Sequence, residues 1–112
     1  MQILPAEWSP QSAVMLTWPH MHGPLGRILA QVETVFIHIA RAVTAHEPLL
    51  VSCLDDAHRD HVATQLAMAG VDPARVRLAI APSNDVWARD HGPITVLRDG
   101  QPLLLDFAFN GW

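Results

Sequence analysis

The sequence predicts a mixed α/β fold. Three short apolar runs rich in strand-forming residues, at 13–18, 49–54 and 75–80, alternate with two longer segments whose apolar residues recur at helical spacing. The order β-α-β-α-β implies parallel strands joined by right-handed crossovers. A hairpin pattern follows at 94–107, so we expect an antiparallel pair after the parallel strands.

The first strand and the first helix are predicted from the spacing of apolar residues. Residues 5–10 are expected to be irregular, because prolines forbid a regular helix there. The run Ala13–Trp18 predicts a buried strand that Pro19 ends. From Leu25 the apolar residues fall three and four apart, which predicts one buried helical face with polar residues such as Glu33 lying largely off it. The inward positions are Leu25, Ile28, Leu29, Val32, Val35, Phe36, Ile39 and Val43.

Capping and stop signals define the second helix. Pro48 ends the first helix, and the run Leu49–Leu54 predicts a second buried strand. Asp55 or Asp56 can cap the next helix, because a carboxylate at that position accepts hydrogen bonds from free backbone N–H groups. Gly70 is expected to end this helix. Its inward residues are Val62, Leu66 and Ala69.

Asp99 and Gly100 form a strong turn signal. They separate the runs Ile94–Arg98 and Gln101–Phe107, and glycine accepts the positive φ that a two-residue hairpin turn requires. The chain then stops on the apolar stretch Phe109–Trp112, directly after a predicted strand. We therefore expect an interruption at this point rather than a natural terminus.

Composition restricts the number of domains and the classes of partner. The 112 residues make at most one domain, and a hydrophobic content of 50% supplies a modest core. The formal net charge of −4 argues against a nucleic-acid partner. No membrane association is expected either, because no apolar stretch could span a bilayer and residues 1–10 lack the features of a signal peptide. A single cysteine, Cys53, suits a reducing, cytoplasmic setting.

Seven histidines raise the question of a metal site. His20 and His22 lie two apart in a predicted loop, and His58 and His61 lie three apart on a predicted helix. Neither pair has an H-E-x-x-H arrangement, and the charged neighbours of the second pair are typical of a solvated helix face, so neither a metal nor another cofactor is predicted. Cys53 lies in an apolar run and is expected to pack in the core rather than act as a nucleophile.

The segment Ser83–Pro93 places polar residues around a bulky aromatic residue, between a buried strand and the hairpin. α/β proteins often have catalytic or binding residues in such a loop. The alternative is a surface loop in which Trp87 serves only for packing. Trp87 and Asp90 are three residues apart, so an indole face and a carboxylate can converge on one ligand. Such a pair would select a planar cation on an alkyl chain. Gly92 is expected to permit a turn that other residues cannot make.

The stretch Asn84–Pro93 resembles the N-D-x-W-x-R-D-x-G-P signature of the agmatine deiminase and bacterial-type peptidylarginine deiminase family. Three further stretches agree with the family in the same order, at Pro5–Trp8, Leu16–His20 and Leu105–Trp112. The resemblance implies a pentein fold, which is a five-bladed α/β propeller, with this chain supplying the N-terminal blade (β-α-β-α-β plus hairpin) and the start of the next. It also implies hydrolysis of a guanidine to a ureido group with release of ammonia.

The resemblance implies roles for three residues. Asp90 matches a guanidinium-binding catalytic acid, Trp87 matches the aromatic residue beside the substrate, and Trp18 is expected to line the same substrate-binding mouth. The family's nucleophilic cysteine and catalytic histidine lie later in its sequence, and Cys53 does not match the nucleophile. Residues 1–112 are therefore expected to be a partial deiminase domain that is inactive alone.

The partner is expected to be agmatine, a small guanidine, or peptidyl-arginine. A homo-oligomer is a further expectation. A single blade leaves sheet edges and an apolar face uncovered, so the isolated chain is expected to fold poorly or to associate. A function of another class stays open, namely a complete, non-catalytic binding module for guanidinium-type cations. The second carboxylate of the segment, Asp85, is expected to shape the local turn rather than bind the ligand.

Overall fold

The structure is a computed structural model and describes residues 1–111. Short 3₁₀ turns precede the first long helix at Gly26–Ile28 and the fourth strand at Pro73–Arg75. The elements are β1 (Gln2–Ile3), β2 (Val14–Thr17), α1 (Leu29–Thr44), β3 (Leu49–Cys53), α2 (Asp56–Met68), β4 (Val76–Ile80), α3 (Ala88–His91), β5 (Ile94–Arg98) and β6 (Gln101–Leu105). The predicted mixed α/β fold is confirmed.

The chain divides into two compact units. The first, here called the parallel unit, comprises Ser12–Val86 and contains a three-stranded parallel sheet in the order β2-β3-β4. Leu49 pairs with Val14 on one side and with Val76 on the other, so β3 is the central strand. Both crossovers run through helices, as the β-α-β-α-β pattern predicts.

The core of the parallel unit lies between this sheet and helices α1 and α2. The central strand is the most buried because it has neighbours on both edges, and Val51 and Cys53 have no exposed surface. Burial of these apolar side chains supplies most of the unit's stability. The buried cluster consists of Trp18, Ala40, Leu49, Val51, Cys53, Val62, Leu66 and Val71.

Local signals fix the ends of α2. The Asp55 carboxylate accepts a hydrogen bond from the His58 backbone N–H at 2.8 Å, so Asp55, one of the two predicted candidates, is the N-cap. Beyond the C-terminal end, Gly70 has a φ of 78°, which a residue with a side chain rarely adopts. The predicted stop at Gly70 is confirmed.

The second unit, here called the hairpin unit, comprises Met1–Gln11 and the chain from Trp87 onward. Its antiparallel sheet has the order β1-β5-β6. The turn between β5 and β6 uses Asp99 at φ 51° and Gly100 at φ 80°, as the Asp-Gly signal predicts. The short strand β1 is not predictable from the sequence, because two residues are too few to show an alternating pattern.

Two further observations concern the chain as a whole. Among residues 1–111, no helix has both the length and the apolar character needed to cross a membrane. The apolar stretch at the end of the chain leaves Phe107 65% and Phe109 47% exposed, while Trp112 lies outside the described residues.

Candidate functional site

Trp87 and Asp90 lie on one turn of helix in the hairpin unit. The segment was predicted as a loop, but residues 88–91 form the short helix α3, with Trp87 as its N-cap. The backbone N–H groups of Asp90 and His91 donate to the Trp87 carbonyl at 3.0 and 3.2 Å. The backbone therefore holds Trp87 at the start of this single turn and Asp90 three residues later within it.

The expected special role of Gly92 is wrong. Its φ of −76° and ψ of 164° are ordinary extended values, which residues with side chains also adopt. Its N–H instead donates to the Ala88 carbonyl at 2.7 Å and closes the short helix. The following Pro93 cannot continue a helix, so α3 ends there.

The side chains of this turn are accessible. Trp87 is 57% exposed, and Asp90 is also exposed. Among the described residues, the Asp90 carboxylate makes no hydrogen bond or ion pair, so both of its oxygens can accept from a ligand. Arg89 faces Glu7 at 4.0 Å, but both side chains are almost fully exposed and the pair contributes little to stability.

Asp85 differs from Asp90 because its carboxylate is used locally. It lies at the end of the parallel unit, and its Oδ1 accepts from the Val86 backbone N–H at 2.8 Å. The side chain is only partly exposed. The expectation that Asp85 shapes the turn is consistent with this bond.

Trp18 is a core residue of the parallel unit. It has no exposed surface, and its ring contacts Phe36 edge-on with centroids 5.4 Å apart. Its indole N–H donates to Glu33 Oε2 at 2.8 Å. The predicted contact between Trp18 and a substrate stays a prediction, since this burial describes packing within the chain.

The placement of Glu33 off the buried face of α1 is wrong. Glu33 is 8% exposed, because its carboxylate accepts both the Trp18 N–H and a hydrogen bond from His61 Nε2 at 2.8 Å. These partners offset the cost of removing the carboxylate from water. Hydrophobic periodicity cannot reveal such a residue, since a polar residue is assigned outward by default.

The expectation that the histidine pair on α2 lies on a solvated face is wrong for His58 alone. The ring of His58 is partly buried and bonded to backbone groups, whereas His61 is exposed and bonded to Glu33. The solvated side of α2 is formed instead by Arg59, which pairs with Asp56 at 3.0 Å and Asp60 at 3.1 Å.

A groove of about 370 Å³ lies beside these histidines, where β2 and β3 end. Polar atoms contribute little of its surface, so it is a mainly apolar depression with imidazole and carboxylate groups at its side. No group of three His, Cys, Asp or Glu side chains within residues 1–111 is arranged to hold a metal ion. Its lining consists of Pro19, His20, Met21, His22, Leu29, Glu33, Leu54, Asp55, Ala57, His58 and His61.

Cys53 has the properties of a core residue, as expected. It is fully buried at the end of β3, and burial raises the pKa of its thiol to about 11. The thiolate is the nucleophilic form of cysteine, and almost none is present at neutral pH with such a pKa.

The sequence of this chain matches a known protein family. The sequence profile of the Porphyromonas-type peptidyl-arginine deiminases matches residues 3–112. The chain belongs to this family. The chain is similar to curated relatives that include the agmatine deiminases of Pseudomonas syringae pv. syringae (36% identity) and Stutzerimonas stutzeri (31% identity). Each match covers 97% of this chain but only 28% of the relative.

Solved structures of the family share the fold. A Porphyromonas gingivalis protein, described provisionally as an arginine deiminase, is 45% identical with a TM-score of 0.81, and the match covers 100% of this chain and 32% of that one. The agmatine deiminase of C. jejuni has a TM-score of 0.82 at 23% identity, over 96% of this chain and 32% of its own. The chain thus spans less than a third of the length of these relatives.

Proposed function

We propose that this chain is the N-terminal portion of a guanidine deiminase, which hydrolyses agmatine or peptidyl-arginine to a ureido product and ammonia. Family membership and the similarity to agmatine deiminases support this reaction class. The observation that carries the proposal is the turn at 87–90 within the N-D-x-W-x-R-D-x-G-P segment. There an exposed indole lies three residues from a carboxylate that has no hydrogen-bond or ion-pair partner among residues 1–111.

Asp90 is proposed to hold the substrate's guanidinium group. A guanidinium keeps its charge at any cellular pH and presents parallel N–H donors, which a carboxylate accepts in pairs. An ionised Asp90 thereby orients the central carbon of the substrate for attack and stabilises positive charge on its nitrogens. Trp87 is proposed to lie along the alkyl chain next to that charge, where the indole face also attracts the cation.

Trp18 is proposed to contribute to substrate binding, first through its packing. Its indole is fixed by Glu33 and Phe36 immediately before Pro19 and His20. A rigid Trp18 holds the segment that follows β2 within the parallel unit. Direct contact between Trp18 and the substrate belongs to this proposal too.

The nucleophile is proposed to come from a part of the protein other than residues 1–112. Hydrolysis through a covalent intermediate needs a thiolate that adds to the guanidinium carbon and a base that activates water after ammonia leaves. Cys53 does not fit, because its thiol is buried and its pKa is raised to about 11. Residues 1–112 would then form the first part of a pentein propeller, which agrees with the 28% share of the curated relatives that they match.

Ammonia release by the natural gene product tests the proposal. The protein is incubated separately with agmatine and with an arginine-containing peptide, and a Cys53→Ser variant serves as the matched control. We expect ammonia and a ureido product from one of the two substrates, at the same rate in both proteins. Binding of agmatine without any product would favour a non-catalytic guanidinium-binding module. Loss of activity in a Cys53→Ser variant that keeps the wild-type melting temperature would overturn the proposal that the nucleophile lies outside residues 1–112.

A further inference from the structure

Each strand of the parallel sheet is followed by a backbone group that is bonded to a histidine ring. The segment after β2 contributes the Pro19 carbonyl and the His22 N–H. The residue after β3 contributes the Leu54 N–H, and the segment after β4 contributes the Ser83 carbonyl. Only two rings, those of His20 and His58, make these four bonds.

His58 bridges the ends of two strands. Its Nδ1 accepts from the Leu54 N–H at 2.9 Å, and its Nε2 lies 3.0 Å from the Pro19 carbonyl oxygen. A carbonyl can only accept, so Nε2 must carry the proton. Because Nδ1 faces a donor, the ring must be neutral, and both of its nitrogens are in use.

His20 connects the segments that follow β2 and β4 in the same way. Its Nε2 lies 2.8 Å from the Ser83 carbonyl oxygen, and its Nδ1 accepts from the His22 N–H at 3.2 Å. The side chain is buried, and its ring packs edge-on against His58 with centroids 5.8 Å apart. The same tautomer is therefore required in both rings.

We propose that His20 and His58 are positioning residues. As two neutral imidazoles, they connect the segments that follow β2, β3 and β4. They thereby fix the start of the segment that leads to Trp87 and Asp90. The role of these residues in turnover rests on the proposed function. The hydrogen-bond arrangement is independent of that function, because it follows from the four bonds between the rings and the backbone.

Protonation of His58 would break this arrangement. A second ring proton at Nδ1 would face the Leu54 N–H, so two donors would oppose each other. Burial lowers the pKa of His58 below its ordinary 6.5, and the neighbouring rings of His20 and His61 act in the same direction, while the Pro19 carbonyl and Asp55 oppose them. The further titratable groups that line the surrounding pockets are Glu33 from α1, His22 after β2 and Asp85 after β4.

Ring and amide NMR tests the arrangement without any substrate. In the natural protein, ring ¹⁵N spectra should show His20 and His58 as neutral Nε2–H tautomers at pH 7, and the Leu54 and His22 amides should exchange slowly. His58→Gln keeps a donor for Pro19 but loses the acceptor for Leu54, so exchange at Leu54 should be about tenfold faster. The exposed His38 supplies the control, and His38→Gln should leave both amides unchanged.

Activity measurements test the positioning role. His20→Gln keeps a donor for Ser83, whereas His20→Asn keeps an acceptor for His22 and loses Ser83. We expect kcat near wild type for the first variant and a loss of about tenfold or more for the second, with KM changing less. Equal loss in the two variants, or no loss in either, would overturn the positioning role.

The hydrogen-bond arrangement and the proposed function have separate refuting outcomes. An Nδ1–H tautomer, or unchanged Leu54 exchange in His58→Gln, would overturn the hydrogen-bond arrangement. A wild-type protein without turnover would refute only the proposed function.

Discussion

Removing the carboxylate of Glu33 should destabilise the parallel unit mainly through Trp18. In Glu33→Leu the side-chain volume is nearly kept, but the Trp18 N–H loses the acceptor that now lies at 2.8 Å. Because Trp18 has no exposed surface, water cannot replace that acceptor without local opening. An unsatisfied buried donor costs about 1–3 kcal/mol in the free energy of unfolding. The bond to His61 adds less, since that ring is 44% exposed.

A double-mutant cycle isolates this hydrogen bond. Trp18→Phe removes the donor and leaves a small cavity, and Trp18→Phe with Glu33→Leu removes both partners together. The double variant should therefore be more stable than the sum of the single effects predicts, by about 1–2 kcal/mol, within the range found for residues in contact. Gln31→Leu, an exposed change on the same helix, is the control and should stay within about 0.5 kcal/mol of wild type.

Urea denaturation followed by far-ultraviolet circular dichroism measures the four proteins of the cycle. The midpoints should shift while the slope stays constant, so that the differences report stability. Additivity within about 0.5 kcal/mol would refute the reasoning, because it would mean that the Trp18–Glu33 bond has no net energetic role.

Four further outcomes are expected. Asp55→Ala should lower the free energy of unfolding by about 1 kcal/mol in thermal denaturation, through loss of the α2 cap, and an unchanged midpoint would contradict the cap. Cys53 should not react with a disulfide reagent at pH 8 until the protein is denatured, whereas rapid labelling of the folded protein would contradict its burial. The isolated chain should associate as its concentration rises in sedimentation velocity, since Leu104 and Phe107 are 64% and 65% exposed, and a monomer at all concentrations would contradict this. Stability should fall as the pH drops from the ordinary 6.5 of histidine through the lowered pKa of His58, because the unfolded chain takes up that proton first, and His58→Gln should flatten this dependence.

The regular elements were largely predictable because their signals are local. The carboxylate of Asp55 and the Asp99-Gly100 turn act within a few residues, and both have the predicted structural result. The spacing from Leu25 correctly predicts a helix, which begins at Leu29, but its predicted buried face is partly wrong. Ile28, Val35 and Ile39 are 48%, 55% and 37% exposed. The short helix at 88–91 was not predicted, because four residues between Trp87 and Gly92 are too few to show a periodicity.

The polar interior was not predictable in the same way. Glu33 is buried by partners 15 and 28 residues away, and His58 is bonded to a carbonyl 39 residues away. Such bonds depend on which segments the fold brings together, and no local pattern encodes that. The pair Trp87 and Asp90 could be proposed from the sequence because both residues lie within one short motif, and its role in binding stays a prediction.

The central claim is that Asp90 binds the guanidinium group and Asp85 does not. Turnover of Asp90→Asn and Asp85→Asn in the natural, full-length protein tests it most directly, with thermal denaturation as the accompanying measurement. Asp90→Asn should lose roughly a hundredfold to several thousandfold in rate, the range for removal of a bidentate charged contact, while its melting temperature stays close to wild type. Asp85→Asn should change stability more than rate, because its carboxylate accepts the Val86 N–H. If Asp85→Asn abolished turnover and Asp90→Asn only lowered the melting temperature, the account of this site would be contradicted.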